Sequence, residues 1–418
     1  MTISRRNFLT STSAAAFAAA IQAAASAAAD PQRPRIVLRS SWQTVNIGDI
    51  AHTPGVLALL EKHLPLAEVR LWPSKVDNGV EQLLKRRFPR LAIAQTPEEI
   101  ARALAECDFL LHGSGPSLVA TKDVARWQKE TGKPYGIYGI TFSSTDPAVL
   151  DLVSGAKFAF FRDTVSLQFA KDQGVKCPIM EFGPDGAFAV DLRADDRAEA
   201  FLREHKLEPG RFMCCIGRLR NTPYWKIHGR EMTAEDHRKH GENEAHKEAD
   251  HASLRQAIEA VVGLGMKVLV CPEDQSQMAV GKELLVDPLP AKVRDRVVWR
   301  ENYWLTDEAL STYRLSAGLF GNEMHSPIMC IGNGIPAVVC RWKQQTSKGF
   351  MWRDIGLGEW LFDLDDPKLD RGRIVAAVKS IAADQNAARE KVGAAREVVL
   401  ERQRKTMEVV GKGVGLIN

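Results

Sequence analysis

The sequence predicts an α/β protein made of two halves, each with a parallel β-sheet covered by helices. Short apolar runs alternate with helix-like segments from residue 35 onward, a pattern typical of parallel sheets. The chain has 418 residues, which is enough for two domains with sizeable cores. A polar, acidic stretch at 191–210 separates a first series of strand-like runs from a second.

The first half is predicted to span residues 35–190. Its predicted strands are RIVLRS, EVRLWP, RLAIA, DFLLHGSG, PYGIYGI, KFAFFRD and PIMEF. Helical segments lie between these strands. One of them is predicted to begin with Thr96 as its N-cap and Pro97 at the first helical position, because Pro needs no hydrogen-bond partner there.

The second half is predicted to span residues 191–365, with a histidine-rich insertion at 222–252. Its predicted strands are RFMCCIGRLR, KVLVCPE, RVVWRE, AGLFGNEMH, IPAVVCRW and EWLFDL. From 366 to 418 the pattern is almost purely helical and charged on one side. We therefore expect this helical tail to pack back across the two halves.

The first 29 residues differ from the rest of the chain in composition. A twin-arginine pair, Arg5 and Arg6, precedes an alanine-rich run that ends in small residues. This arrangement is typical of a Tat-type signal peptide that is removed from the mature protein. It predicts passage through the Tat export machinery and a periplasmic or extracellular location. An alanine-rich N-terminus without a targeting role is the alternative.

The composition also argues against some partners. The net charge of +4 is small for this length and no basic stripe carries interleaved aromatics, so no nucleic-acid partner is predicted. After the signal peptide no run approaches about 20 apolar residues, so no membrane span is predicted in the mature protein. Seven cysteines without CxxC spacing lie mostly in strand-like runs, which is the behaviour of small hydrophobic residues rather than of a disulfide framework.

Glycines and polar residues follow two of the predicted strands. Asn46, Gly48 and Asp49 lie between the first strand and an apolar helix. The residues after the other strand are His112, Gly113, Ser114 and Gly115. Because open α/β sheets bind ligands at the carboxyl ends of their strands, both sets are candidates for lining a ligand-binding cleft. The structural alternatives are a helix N-cap at Asp49, a turn glycine at Gly48 and a plain tight turn at 112–115.

Two further candidates lie at strand ends. Arg162 and Asp163 end one predicted strand, where they either form an ion pair that fixes the turn or present the arginine to the cleft. His325 follows the strand AGLF and precedes a helix start at Ser326 and Pro327. We expect its side chain to face the cleft between the halves, at the positive end of that helix.

Histidines are dense in the segment IHGREMTAEDHRKHGENEAHKEADH, where carboxylates are interspersed with them. If this segment is helical, His246 and Asp250 lie at positions i and i+4 on one face, beside His251. Imidazole and carboxylate ligands at this spacing suit zinc or another divalent metal. A lid that contacts the substrate and a solvated insertion are the alternatives.

Taken in order, several segments resemble the polysaccharide pyruvyl transferase family over residues 36–365. They are NIGD, DFLLHGSGPSLV, FAFFRDTVSLQFAKDQGV, FGPDGAFAVD and GNEMHSPIMCIGNGIPAVVCRWKQQTSKGFMWRDIGLGEW. Their order and spacing carry the resemblance. It implies two Rossmann-like domains that face a cleft in a GT-B-like arrangement. It also implies transfer of a pyruvyl group from phosphoenolpyruvate to a pair of hydroxyls on a polysaccharide, which forms a ketal.

The resemblance also implies roles for residues. The family pattern Ser-x-Arg-x-His, which serves donor binding and catalysis, matches Gly321, Glu323 and His325 here. His325 is therefore implied to be catalytic, whereas Glu323 replaces an arginine that would hold a phosphate or carboxylate. The candidate donor-binding cations are Arg162, Arg218, Arg220 and Lys348.

Two other functions stay open at the level of sequence. An exported relative could bind glycan without transferring to it, because phosphoenolpyruvate is a cytoplasmic metabolite and the arginine is missing. Tryptophans would then stack on sugar rings, and the candidates are Trp42, Trp225, Trp304, Trp342 and Trp352. A metal-dependent hydrolase would use the histidine-rich insertion. These hypotheses imply two small ligands, which are phosphoenolpyruvate as donor substrate and a divalent metal.

Overall fold

The computed structural model describes residues 33–416, so the predicted signal peptide at 1–29 lies outside the described part. Two sheets, in which all strands run parallel, form the framework of the described residues. The first contains β1 (Arg35–Ser40), β2 (Glu68–Pro73), β3 (Ala92–Ile93), β4 (Phe109–His112), β5 (Tyr135–Ile140), β6 (Ala159–Phe161) and β7 (Met180–Phe182). The second contains β8 (Phe212–Ile216), β9 (Lys267–Val270), β10 (Val297–Trp299), β11 (Leu319–Gly321), β12 (Ala337–Arg341) and β13 (Leu361–Asp363). Each strand lies within a run that predicted it.

Helices connect the strands and cover both faces of each sheet. In the first half they are α1 (Ile47–His63), α2 (Val80–Arg87), α3 (Pro97–Glu106), α4 (Thr121–Thr131), α5 (Pro147–Ser154) and α6 (Thr164–Asp172). The second half has α7 (Asp195–Glu204), α8 (Tyr224–Ile227), α9 (Ala234–Gly263), α10 (Gln277–Gly281), α11 (Ala291–Arg294), α12 (Thr306–Leu315), α13 (His325–Gly332) and α14 (Met351–Asp354). The tail forms α15 (Gly372–Ala383) and α16 (Gln385–Gly413).

The strand orders locate the ligand-binding edges of the two sheets. The first sheet has the order β3-β2-β1-β4-β5-β6-β7 and the second β10-β9-β8-β11-β12-β13. In each, the chain reverses direction across the sheet after its third strand, between β1 and β4 and between β8 and β11. Ligands of doubly wound sheets bind at such switch points, outside the carboxyl ends of the strands.

The start of α1 joins the two domains at these edges. The N–H of Ile47 donates to the carbonyl of Glu273 at 2.9 Å, and the hydroxyl of Thr306 donates to the carbonyl of Ile47 at 2.8 Å. Asn46 forms an isolated antiparallel bridge with Asp274. The residues after β1 therefore face the residues after β9 and β10 across a narrow interface.

Helix α3 begins as predicted. The Thr96 side chain accepts from the N–H of Glu99, and the Glu99 carboxylate accepts from the N–H of Thr96. Pro97 occupies the first turn. Helix α1 begins earlier than its apolar pattern indicated, at Ile47, and contains Pro54. This earlier start brings the polar residues after β1 onto the helix itself.

The helical tail packs across both domains, as expected. The Tyr138 hydroxyl in β5 lies 3.2 Å from the Thr406 hydroxyl in α16, and the Arg396 side chain donates to the carbonyl of Gly332 in the second domain at 2.8 Å. No helix within residues 33–416 is long and apolar enough to cross a membrane. All seven cysteines are free and buried, which agrees with their predicted role as small hydrophobic residues.

Candidate functional site

A cavity of about 560 Å³ lies where the two switch points face each other. Residues after β1, β4 and β6 form its first-domain wall, and residues after β8, β11 and β12 form the opposite wall. The site residues predicted from sequence that line it are Asn46, Asp49, Arg162, Arg218, Arg220, Glu323, His325 and Lys348. Strand ends scattered along the sequence thus meet around one space, as the topology of parallel sheets requires.

Asn46, and not Asp49, caps helix α1. The Asn46 side-chain oxygen accepts from the N–H groups of Gly48 at 2.7 Å and Asp49 at 3.1 Å. The structural alternative that assigned the N-cap to Asp49 is therefore wrong. Gln43 donates to Asp49 Oδ2, and Asp49 Oδ1 points toward His52 Nε2 at 4.0 Å. The Asp49 carboxylate is thus turned toward the cavity.

Gly48 allows the two walls to approach each other. A Cβ atom at this position would lie 2.1 Å from the Cβ of His325, which is closer than two non-bonded carbon atoms can approach. Gly48 is therefore required by a close contact between the domains, and a role as a simple turn glycine does not account for its position.

His52, one turn after Asp49, is a site residue that the sequence analysis missed. Its side chain is fully buried, and Nδ1 lies 2.8 Å from Asp185 Oδ1 and 3.1 Å from Ser114 Oγ. Its Nε2 has no hydrogen-bond partner among the described residues. Because α1 begins at Ile47, Asp49 and His52 lie at positions i and i+3 on one buried face of an apolar helix. Two polar residues at this spacing in an apolar helix are the sequence signal that could have identified His52.

His325 begins α13 and lines the opposite wall. Its Nδ1 lies 3.2 Å from Glu273 Oε1, while Glu273 Oε2 accepts from the N–H of Ser326 at 2.6 Å. The Nε2 atom of His325 has no partner in residues 33–416. Burial lowers the pKa of His325 well below its ordinary value, and the charge of Lys348 acts in the same direction. The imidazole is therefore held in its neutral form.

The two histidines form a pair across the interface. The ring centroids of His52 and His325 are 4.9 Å apart and the ring planes stand nearly perpendicular, at 84°. Each Nδ1 contacts a buried carboxylate, Asp185 or Glu273, so each free nitrogen is Nε2. Burial alone would raise the pKa of Asp185, but the charges of His52 and Arg162 hold that pKa below its ordinary value. Asp185 therefore stays ionised.

Arg162 and Asp163 do not pair with each other. Arg162 is fully buried, and it donates to Asp185 Oδ2 and to Thr141 Oγ1, both at 2.7 Å. Asp163 caps helix α6 by accepting from the N–H of Ser166 at 2.7 Å. The predicted ion pair is therefore wrong, and the cleft-facing alternative fits, because Arg162 lines the cavity with Nη2 unpartnered among the described residues.

Arg218 and Gln277, which lie in the second domain with Glu323, offset the negative charge of the Glu323 carboxylate. Arg218 Nη1 donates to Glu323 Oε2 at 3.2 Å, and Gln277 Nε2 donates to Oε1 at 2.6 Å. Burial raises the pKa of Glu323 and of Glu273, and burial together with the charge of Glu323 raises the pKa of Asp274 to about 6. This carboxyl cluster therefore carries less negative charge than its residue count suggests.

Two of the remaining predicted cations differ in availability. Lys348 is 9% exposed, and burial lowers its pKa against the opposing charge of Glu323. Arg220 is held by Asp250 through bonds of 2.8 and 3.0 Å and by Asp365 at 2.9 Å. Its charge is compensated at the cavity rim, which disfavours the donor-binding role predicted for it.

The metal site predicted from the histidine-rich segment is not formed. Both carboxylate oxygens of Asp250 are bonded to Arg220, and His251 Nδ1 lies 2.6 Å from the carbonyl oxygen of Lys247. The segment that contains His246 is part of α9, a helix of 30 residues that begins with a capping box. In the described part of the chain, the group with metal-ligand spacing is instead Asp49, His52 and His325.

Residues 112–115, the turn at the end of β4, support the first-domain wall from behind. The ring of His112 is fully buried and stacks on Trp42 with centroids 4.8 Å apart, and burial lowers its pKa to about 3. The hydroxyl of Ser114 contacts His52, and the backbone carbonyl of Ser114 accepts from the Trp42 indole N–H at 2.8 Å. The residues of this turn that back the wall without lining the cavity are His112, Gly113, Ser114 and Gly115.

Trp42 is the one member of the predicted tryptophan set that lines the cavity, half-buried. The other members are buried inside the domains, and they are Trp225, Trp304, Trp342 and Trp352. Three of them belong to the hydrophobic core, and Trp225 lines a separate cavity beside α9. At the interdomain cavity the predicted stacking surface therefore reduces to Trp42.

Comparisons with known proteins agree with this architecture. The similar solved structures include a protein described as a UDP-N-acetylglucosamine 2-epimerase from Listeria monocytogenes, with a TM-score of 0.58 and 11% identity over 92% of this chain and 98% of that chain. S. aureus MnaA bound to UDP gives a TM-score of 0.56 at 11% identity, with 92% and 98% covered. Anabaena Alr3699/HepE bound to UDP and glucose gives 0.56 at 10%, with 91% and 100% covered. At these identities the likeness concerns the fold alone, and it confirms the GT-B-like arrangement.

The sequence comparisons differ in outcome. A search of curated proteins gave no match. The sequence model described as polysaccharide pyruvyl transferase matches residues 46–344, a range that includes the cavity-lining residues Asn46, Asp49, Arg162, Arg218, Arg220, Glu323 and His325 and leaves out Trp42, Gln43 and Lys348. The match covers well over half of the chain and confirms the resemblance drawn from the sequence. The chain therefore belongs to the polysaccharide pyruvyl transferase family.

Proposed function

We propose that this protein transfers a pyruvyl group from phosphoenolpyruvate to a pair of hydroxyls on a glycan and so forms a ketal. Family membership supports transfer to a polysaccharide. One observation carries the finer proposal: His52 Nε2, His325 Nε2 and Arg162 Nη2 are buried at one interdomain site and have no hydrogen-bond partner within residues 33–416. Buried polar groups normally have partners, and a substrate with charged and reacting oxygens would supply them.

The donor would lie against Arg162 and Lys348. Arg162 is fixed by Asp185 and Thr141, so its free Nη2 is held in position for an anionic oxygen. Lys348 adds a buried positive charge on the opposite wall. Arg218 opposes the charge of Glu323, which supports binding of an anion even though glutamate replaces the family arginine. Cations in a dry site stabilise phosphate and carboxylate charge far more than they do in water.

The proposed reaction needs one proton delivered and two removed. The C3 methylene of the donor gains a proton, the first glycan oxygen bonds to C2, the C2–O bond to phosphate breaks, and the second glycan oxygen closes the ketal. The hydroxyls release two protons: one replaces the proton given to C3, and the other leaves with phosphate. Two imidazoles with free Nε2 atoms suit this exchange.

The environments of the two histidines suggest their roles. The pKa of His325 is lowered by burial, so its neutral ring would take the proton of a glycan hydroxyl. The ionised Asp185 beside His52 Nδ1 would compensate the charge of an imidazolium, so His52 would deliver a proton to C3. Trp42, half-buried on the same cavity, would offer a ring face to the glycan.

Calorimetric titration with phosphoenolpyruvate, in buffer containing a chelator, tests donor recognition. We expect saturable binding that Lys348→Met weakens about 10- to 100-fold, the usual effect of removing one charge-assisted contact. His325→Ala should also weaken binding. Lys247→Met is the matched control, because Lys247 lies on α9 and pairs with Glu244 and Glu283 away from the cavity.

Absence of donor binding at millimolar concentration would overturn the transferase proposal. A glycan array would then test binding without transfer, for which Trp42 is the supporting residue. The periplasmic or extracellular location rests on the signal-peptide prediction alone and is proposed separately. Fractionation of cells that express the full chain, compared with an Arg5→Lys, Arg6→Lys variant, would test that location.

A further inference from the structure

The geometry points to a divalent transition-metal site formed by Asp49, His52 and His325. One ligand atom from each residue lies within 4.8 Å of the other two, and all three residues are buried. The inference concerns only what these three side chains bind, and a bound metal would compete with the proton transfers proposed above for the Nε2 atoms of His52 and His325. It is also distinct from the metal site predicted on α9, which the structure does not form.

The ligand atoms are free of other partners. His52 Nε2 and His325 Nε2 have none among residues 33–416, and each side chain is more than nine-tenths buried. Asp49 Oδ1 lies 4.0 Å from His52 Nε2, while Gln43 takes the other carboxylate oxygen. Ligands of one tetrahedral zinc ion lie about 3.3 Å apart, so a contraction of at most about 1.5 Å would bring this cluster to coordination distance.

The surrounding groups are those that support metal-bound imidazoles. His52 Nδ1 contacts the Asp185 carboxylate at 2.8 Å, and His325 Nδ1 contacts the Glu273 carboxylate at 3.2 Å. A carboxylate on Nδ1 fixes the ring orientation and makes Nε2 the better ligand, as in carboxylate–histidine–zinc arrangements. Both histidines of the pair have this partner, although they come from different domains.

The ligand chemistry agrees with a divalent transition metal, because Asp49 supplies a carboxylate oxygen beside the two imidazole nitrogens. Two imidazoles and one carboxylate are a ligand set for zinc, and three protein ligands leave a fourth position open toward the cavity. An occupied site would take the Nε2 atoms that the proposed proton transfers use.

The test uses the full chain after removal of metal by a chelator. We expect calorimetry to show one equivalent of Zn²⁺ bound, and Co²⁺ to give the visible absorption of a tetrahedral complex with nitrogen and oxygen ligands. Asp49→Asn and His325→Ala should each weaken binding at least about 10-fold, and Glu273→Gln should weaken it about 10- to 100-fold through the ring it supports. Thermal unfolding in chelator checks that each variant folds.

His246→Ala is the matched control, because His246 lies on α9 outside the cluster. It should leave the stoichiometry and the Co²⁺ spectrum unchanged. Absence of Zn²⁺ and Co²⁺ binding would overturn the inference. Binding that His246→Ala abolishes and Asp49→Asn leaves intact would also overturn it and would assign the metal to α9. Donor binding in chelator is measured separately, so failure of either proposal is recognised on its own.

Discussion

Histidine occurs in two kinds of surroundings in this protein, on α9 and in the cleft. On α9 the imidazoles are close in sequence, yet His237 is exposed and His240 lies within 3.9 Å of Glu244 on the helix surface. In the cleft, His52 and His325 are far apart in sequence, buried, and in contact as a pair. His251 is the buried exception on α9, and its Nδ1 lies against the carbonyl oxygen of Lys247 on the same helix. Density along the chain thus reflects mainly a helix surface, whereas convergence of distant residues gives the chemically unusual environment.

The largest expected difference between the two regions concerns the rate of transfer. His52→Ala and His325→Ala should each lower the rate of phosphate release from phosphoenolpyruvate, with glycan present, by about 10²- to 10⁴-fold, because each removes a proton-transfer group. His240→Ala and His246→Ala should change this rate by less than about 2-fold, the effect of a surface substitution. A phosphate-release assay measures all four variants. An α9 variant with the larger loss would reverse the comparison.

A glycine in each region gives the next comparison, of stability. Gly48→Ala places a Cβ atom 2.1 Å from the Cβ of His325, so the domains must shift, and we expect a loss of about 1–3 kcal/mol in the free energy of unfolding. Gly241→Ala on α9 meets nothing within 4 Å and should gain about 0.5–1 kcal/mol through helix propensity. Urea denaturation measures both variants. Equal effects would mean that the domains do not meet at Gly48.

The sequence predicted the strands well because each is a short apolar run bounded by turn residues, a local signal that buried parallel strands carry. The strand-end rule also predicted that Asp49 and His325 approach one cleft, since parallel sheets collect their carboxyl ends along one edge. It left Arg162 open between an ion pair with Asp163 and a place in the cleft. The start of α1 was harder to predict, because Pro54 and the polar residues after β1 interrupt the apolar pattern of the first helical turns. His52 was missed for that reason.

Partners chosen by tertiary structure could not be predicted. Arg162 neighbours Asp163 in sequence but bonds to Asp185, and Asp250 neighbours histidines but bonds to Arg220. In both cases sequence proximity suggested a pairing, and the fold brought a better-placed opposite charge from another element. A charged residue's neighbours along the chain therefore say little about whether its charge is available in a site.

The smallest expected effect is a difference in pH dependence between Asp274, a buried carboxyl group of the cleft, and Asp236, a hydrogen-bonded carboxyl group at the start of α9. Burial raises the pKa of Asp274 to about 6 from an ordinary value of 3.8, so the folded state binds this proton more tightly than the unfolded state. Its contribution therefore decreases the stability as the pH rises from about 4 to about 6. Asp274→Asn, which cannot ionise, should flatten the pH dependence of the melting temperature in this window.

Asp236 on α9 should show the opposite sign. Hydrogen bonds from Arg230 and Thr233 hold its pKa below the ordinary value of 3.8, so its contribution is present above that value and is lost as the pH falls below it. Asp236→Asn should therefore leave the slope between pH 4 and 6 unchanged and alter only the acid side. Melting temperatures measured against pH for both variants distinguish the regions. If Asp274→Asn keeps the decline from pH 4 to 6, the Asp274 carboxyl is ionised in the folded protein, and the cleft is more polar than its burial indicates.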